Sequence, residues 1–143
     1  MTTIETPLRP ALTTAQAKIK RIEAIAVSLP MTKPMKMAGA LVEAADNVLV
    51  KLELEGGDVG WGEAASAHAM TGETVESMMA AIRHMAPSLI SMDGADIAAV
   101  SWRMDQLMYY NQSAKSAVEM ALHDALGKAS GKPVFELLGG KKR

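Results

Sequence analysis

The feature of this chain that most constrains its fold is a change of hydrophobic period halfway along the sequence. Apolar side chains occupy every second position of residues 47–54, which is the period of a strand with one buried face. From Thr74 onward they recur at intervals of three and four residues, as in amphipathic helices. Strands followed by helices predict an α+β domain, in which a three-stranded antiparallel meander packs against a layer of about three helices.

The predicted strands are bounded by turn signals. The apolar run of residues 20–29 predicts the first strand, and residues 47–54 predict the second. Residues 55–58 read Glu-Gly-Gly-Asp, a hairpin signal because glycine adopts positive φ without strain. Residues 59–63 are therefore expected to return antiparallel, completing a meander that needs a cover to be stable.

A segment rich in proline and methionine joins the first two predicted strands. Pro30 and Pro34 are expected to end the first strand, since proline cannot donate a hydrogen bond to a sheet ladder. Residues 31–41, which include Gly39, are therefore predicted to be a loop. At the start of the chain, residues 1–18 lack clear periodicity and are expected to form a flexible extension.

The second half predicts three helices with defined ends. Thr74 is a suitable N-cap for the first helix, and Pro87 marks its end or a kink. Asp96 is a suitable N-cap for the second. The third carries small apolar residues along positions 114–129, which predicts close packing against another element, and Gly131 stands where its C-cap belongs.

Composition excludes several classes of function. The net charge is −1, and no basic cluster occurs outside residues 141–143, so nucleic acid is not an expected partner. The chain has no cysteine, which excludes disulfides and thiolate metal sites. No apolar run has the length of a membrane span or the pattern of a signal peptide, and a cytoplasmic location is expected.

The three histidines do not have the spacing of a metal site. His123 follows Glu119 by one helical turn, which predicts a surface ion pair, and His84 is expected to face solvent from a helix. His68 differs because it lies in residues 64–72, a connection of small and polar residues. Loops on a rigid scaffold often carry binding residues, so His68 is the histidine with a candidate role.

Two segments of the sequence resemble those of a known family. One is Gly60-Trp61-Gly62-Glu63-Ala64; the other runs from Ser116-Ala117-Val118-Glu119-Met120-Ala121-Leu122-His123-Asp124-Ala125-Leu126-Gly127-Lys128 through Gly131-Lys132-Pro133-Val134 to Leu137-Leu138-Gly139-Gly140. With the order of strands and helices, they make residues 18–140 resemble the N-terminal capping domain of enolase-superfamily enzymes of the mandelate racemase and muconate-lactonizing type.

The resemblance implies an enzyme of which this chain is one part. Residues 19–140 would be a cap on the C-terminal face of a β/α barrel, and residues 141–143 would begin the linker to that barrel, which is absent from this sequence. The intact enzyme would be an isomerase, namely a racemase, epimerase or cycloisomerase, that abstracts a proton α to the carboxylate of a small molecule. Its base and Mg²⁺ ligands would lie in the barrel, so this chain alone would bind no metal and have no catalytic residue. The intact enzyme is expected to be a homo-oligomer.

The resemblance also assigns two loops to substrate selection, residues 31–41 and 64–72. The substrate-binding candidates on them are Lys33, Met35, Met37, His68 and Met70. Methionine offers adaptable apolar contact and His68 a titratable polar group. Lys33 can attract a carboxylate or remain a solvated surface residue.

A stand-alone, non-catalytic binding module with a cap-like fold is the alternative. A cap is expected to have a large apolar surface where the barrel docks, whereas a stand-alone module would be polar there. Residues 134–138 favour the cap, because an apolar segment after the last long helix is expected to pack on something.

Overall fold

The computed structural model describes residues 11–37 and 39–140. The elements follow in the order α1 (Thr14–Ala17), β1 (Ile19–Met37), β2 (Ala40–Leu54), β3 (Val59–Ala65), α2 (Val75–Leu89), α3 (Ile97–Leu107), α4 (Gln112–Ser130) and α5 (Val134–Leu137). The strands form one antiparallel sheet in the order β1-β2-β3, and α2, α3 and α4 form the helical layer. The predicted α+β fold is confirmed.

The core lies between the helices and the face of β2 that the alternating pattern predicts. Val48, Val50, Leu52 and Leu54 are fully buried, whereas the residues between them are half-buried on the other face. The core is filled from the helical side by long aliphatic side chains, chiefly Met78, Ile82, Met85, Leu89, Met104 and Leu122. Removal of this apolar surface from water is the main force that holds the two layers together.

The small residues of α4 allow its backbone to lie directly against β3. A Cβ atom at Gly60 would be 1.9 Å from the carbonyl oxygen of Ala121, and one at Gly62 would be 1.9 Å from that of Ala117. Only glycine leaves room for such an approach. The close packing that the α4 sequence predicts is therefore present, and β3 is the element it packs against.

The first strand extends beyond its predicted end. β1 continues through Pro30 and Pro34 to Met37, so the prediction that residues 31–41 form a loop is wrong. β1 is an edge strand with β2 as its partner, and an edge tolerates proline because one side of the strand needs no amide donor. The prolines instead coincide with a register shift, where pairing passes from Pro30↔Ala44 to Met35↔Val42.

The folded domain also begins earlier than predicted. Residues 1–10 lie outside the described part of the chain, but residues 14–17 form α1, whose N-terminus is capped by the Thr13 side chain. Ala17 is buried, and its carbonyl oxygen accepts a hydrogen bond from the Gly94 amide. The predicted flexible extension therefore differs from the structure over its last residues, because these contacts come from distant parts of the sequence.

The predicted helix caps are present, with one difference. Thr74 and Asp96 accept hydrogen bonds from the first turns of α2 and α3, and Gly131 ends α4 with φ +67. Pro87 does not end α2, which continues to Leu89.

Candidate functional site at one end of the sheet

The two predicted substrate loops lie at the same end of the sheet. In an antiparallel meander, β1 and β3 finish where β2 begins. β3 finishes at the pair Asn47↔Ala65, whereas β1 and β2 remain paired as far as Met37↔Ala40. The β1–β2 hairpin therefore projects past β3, at the end where the β3–α2 loop (residues 66–74) leaves the sheet.

An open depression of about 510 Å³ lies between the sheet and this loop. It is lined by residues of β1, β2, the β3–α2 loop and the first turn of α2: Ala26, Val27, Ser28, Asp46, Ser66, His68, Thr74, Val75 and Glu76. Most of these side chains are small or carry oxygen, so the depression is suited to a polar group.

One of the predicted binding residues lines this depression. His68 is exposed and shares this lining with residues that the sequence does not single out, Asp46 among them. Lys33, Met35 and Met70 are exposed but do not line it, with Met70 64% accessible on the loop and Met35 46% accessible on the hairpin. Met37 is the last residue of β1.

Glu76 gives the depression a fixed negative charge at the start of α2. Its pKa lies below the ordinary value because the carboxylate accepts hydrogen bonds from its own backbone amide and from the Thr74 hydroxyl. The negative charge of Asp46 opposes this shift, which places the two carboxylates within electrostatic reach of each other. The site can therefore hold a hydrogen-bond donor, and it contains no paired nucleophile and base.

The β3–α2 loop is internally hydrogen-bonded. The Ala67 carbonyl oxygen accepts from the Met70 and Thr71 amides, each at 2.8 Å, and the Gly72 amide donates to the His68 carbonyl oxygen at 3.1 Å. Gly72 has φ +78, which an L side chain would strain. His68 is thus presented by an ordered turn.

Two charged side chains outside the depression, Lys115 and Glu119, make contacts between α4 and the α3 region. The buried Lys115 ammonium donates to the Asp105 carboxylate and to the Met108 carbonyl oxygen, both at 2.7 Å. The predicted ion pair between Glu119 and His123 is wrong. The His123 Nδ1 atom lies 3.0 Å from the backbone oxygen of Glu119, whose carboxylate instead accepts from the Ser101 hydroxyl. His84 is exposed, as expected.

Residues 11–37 and 39–140 contain no group of three or more histidine, aspartate or glutamate side chains placed to hold a metal ion. Within the same residues, no helix has the length and apolar character needed to cross a membrane.

Comparison with known proteins identifies the class to which this fold belongs. The model of the mandelate racemase / muconate lactonizing enzyme N-terminal domain matches residues 21–139. The chain belongs to this family, within the enolase superfamily.

Relatives in this family catalyse several isomerisations. The chain is 40% identical to the L-Ala-D/L-Glu epimerase of Bacillus subtilis (strain 168) over 86% of its own length and 34% of that protein. It resembles the muconate lactonizing enzyme from Pseudomonas fluorescens complexed with muconolactone, with a TM-score of 0.84 and 39% identity. This match covers 90% of the present chain and 35% of that enzyme. It also resembles the dipeptide epimerase from Cytophaga hutchinsonii complexed with Mg and dipeptide D-Ala-L-Val, with a TM-score of 0.83 and 30% identity. This match covers 87% of the present chain and 34% of that epimerase. The chain spans about a third of the length of these relatives.

Proposed function

We propose that this chain is the substrate-selecting cap of an isomerase that racemises, epimerises or cycloisomerises a small carboxylate. The observation that carries the proposal is the convergence of two projections, the β1–β2 hairpin and the β3–α2 loop, at one end of a domain of this family. Side chains there are exposed and not committed to the core. Similarity to epimerases and to a lactonizing enzyme supports the isomerase class.

The roles in this proposal are divided between two domains. The barrel supplies the acid–base groups and the ligands for Mg²⁺, which would stabilise the enolate formed when a proton α to the carboxylate is removed. His68 contributes a hydrogen bond to the distal part of the substrate, and Lys33, Met35, Met37 and Met70 border the approach to it. The proposal includes a homo-oligomeric enzyme in the cytoplasm.

The exposed apolar side chains near the end of the described chain support docking to a barrel. Phe135 and Leu138, in and directly after α5, are 41% and 68% accessible. A stand-alone module, the alternative reading, would be expected to have polar residues at these positions. No observation on the described residues favours that alternative.

The test uses the intact gene product that contains this chain. Incubation in D₂O with Mg²⁺ and either dipeptides or muconate-like acids should give deuterium at the α carbon or lactonization, measured by NMR and by absorbance. The 143-residue chain alone should give neither, with or without Mg²⁺. Turnover by the isolated chain would disprove the division of roles, and an intact protein inactive on every carboxylate would disprove the proposed class.

A further inference from the structure

Glu73, the residue before the N-cap of α2, is one of two buried charged residues in the described chain. Its carboxylate reaches across to the start of α4. One oxygen accepts hydrogen bonds from the backbone amide of Ser113, at 3.0 Å, and from the Ser113 hydroxyl. The other accepts from the Ala114 amide at 3.3 Å. A buried carboxylate is thus satisfied by three donors that lie forty and forty-one positions further along the chain.

The start of α4 lacks the cap that its own sequence would normally supply. Asn111 occupies the N-cap position, but its φ of 59° is left-handed and its side chain makes no capping bond. The first amides of a helix need acceptors, and a negative charge there is favourable. Glu73 supplies both, so a residue of the β3–α2 loop acts as the N-cap of α4.

The backbone of Glu73 closes the loop that presents His68. The Ala67 amide donates to the Glu73 carbonyl oxygen at 3.3 Å, and the Glu73 amide donates to the Thr71 hydroxyl at 3.3 Å. One residue therefore joins both ends of residues 67–73 and fastens them to α4. Because α4 is in backbone contact with β3, the loop is attached to a firmly packed part of the domain.

We propose that Glu73 is a positioning residue that fixes the β3–α2 loop, and with it His68, in the orientation that selects the substrate. This role rests on the proposed function of the domain as a substrate-selecting cap. Without the carboxylate, the Ser113 and Ala114 amides would lose their acceptor and the loop would lose its attachment to α4. The loop would then open separately from the rest of the domain.

Hydrogen–deuterium exchange of the intact protein tests the positioning directly. In Glu73→Gln, amides of residues 67–74 should exchange about 10-fold faster or more, while those of residues 48–54 change by less than about 2-fold. Glu119→Gln is the matched control, because Glu119 also accepts a bond from a serine but does not touch the loop. Loop exchange equal to wild type, or accelerated only in parallel with β2, would overturn the proposal.

Kinetics of the intact enzyme distinguish positioning from a general loss of stability. In Glu73→Gln, the ratio of kcat/KM between two carboxylate substrates with different distal groups should change by about 10-fold, and in Glu119→Gln it should not. An equal fall for all substrates would contradict the positioning role. If the wild-type protein turns over no carboxylate, the proposed function fails, and the exchange experiment still decides whether Glu73 fixes the loop.

Discussion

Gly62 of β3 and Ala117 of α4 are in backbone contact, such that a Cβ atom at Gly62 would lie 1.9 Å from the Ala117 carbonyl oxygen. Gly60 has the same relationship with Ala121, one helical turn further along α4. The two contacts set the distance between the sheet and its longest covering helix. Every side chain positioned by β3 or by the start of α4 depends on this spacing.

Gly62→Ala is expected to destabilise the domain by about 3 kcal/mol or more, because backbone must move to admit the methyl group. Urea denaturation followed by circular dichroism measures the change. Gly56→Ala is the control, since Gly56 lies outside the positive-φ region and its Cβ would be 3.2 Å from the Gln16 Cβ and 3.3 Å from the Gln16 carbonyl oxygen, contacts that a shift of a few tenths of an ångström relieves. It should cost less than about 1 kcal/mol. Equal effects of the two substitutions would contradict the close approach of α4.

Lys115→Met should cost more stability than Asp105→Asn, although the two residues form one ion pair. Lys115 is 7% exposed and Asp105 is 64% exposed. Removing the ammonium leaves the Met108 carbonyl oxygen without this donor, at about 1–3 kcal/mol, whereas an exposed partner is worth about 1 kcal/mol or less. Denaturant titration of both variants checks the order, and the reverse order would show that the pair does not act through Met108.

Glu76→Gln should lower the melting temperature at neutral pH and have little effect in acid. The pKa of Glu76 is lower in the folded protein than the ordinary value of 4.5 for a glutamate, so its stabilising contribution is present above that value. The contribution is lost as the pH falls through the folded pKa. Melting curves between pH 7 and about pH 3 provide the test, with Glu43→Gln as the control at an exposed position of β2. A difference from wild type that persists in acid would count against this account.

His68→Ala in the intact enzyme should change the preference among carboxylate substrates by about 1–3 kcal/mol, the value of a buried hydrogen bond to the distal group. Metal affinity should stay unchanged. His84→Ala, at an exposed position of α2, is the control and should leave the preference as in wild type. Relative kcat/KM values that do not respond to His68→Ala across amino-acid, dipeptide and muconate-like acids would remove His68 from the binding site.

Local signals in the sequence were sufficient for most of the fold. The alternation along residues 47–54, the caps at Thr74 and Asp96 and the glycine at 131 each depend on neighbours within a few positions. The end of the first strand is predicted wrongly at Pro30, because the effect of proline depends on whether its strand lies at an edge. That position is a property of the whole sheet.

Less of the candidate site can be predicted from the sequence, because its contacts join residues that are distant along the chain. His68 is a candidate from its loop alone, but Asp46 lines the same depression only because β2 and β3 pair. Glu73 reads as an ordinary helix-flanking residue, and the serine that binds its carboxylate is forty positions away. No pattern among neighbouring residues of the sequence predicts such a partner.

The unequal lengths of the strands have an evolutionary consequence. Beyond Pro30↔Ala44, the β1–β2 hairpin is paired only with itself, and the residues described at positions 31–36, 39, 41 and 42 lie outside the buried core. Insertions, deletions and substitutions there leave the sheet–helix interior intact. Under the proposed function, the hairpin is therefore a segment in which substrate preference can change without a cost to the folding of the rest of the domain.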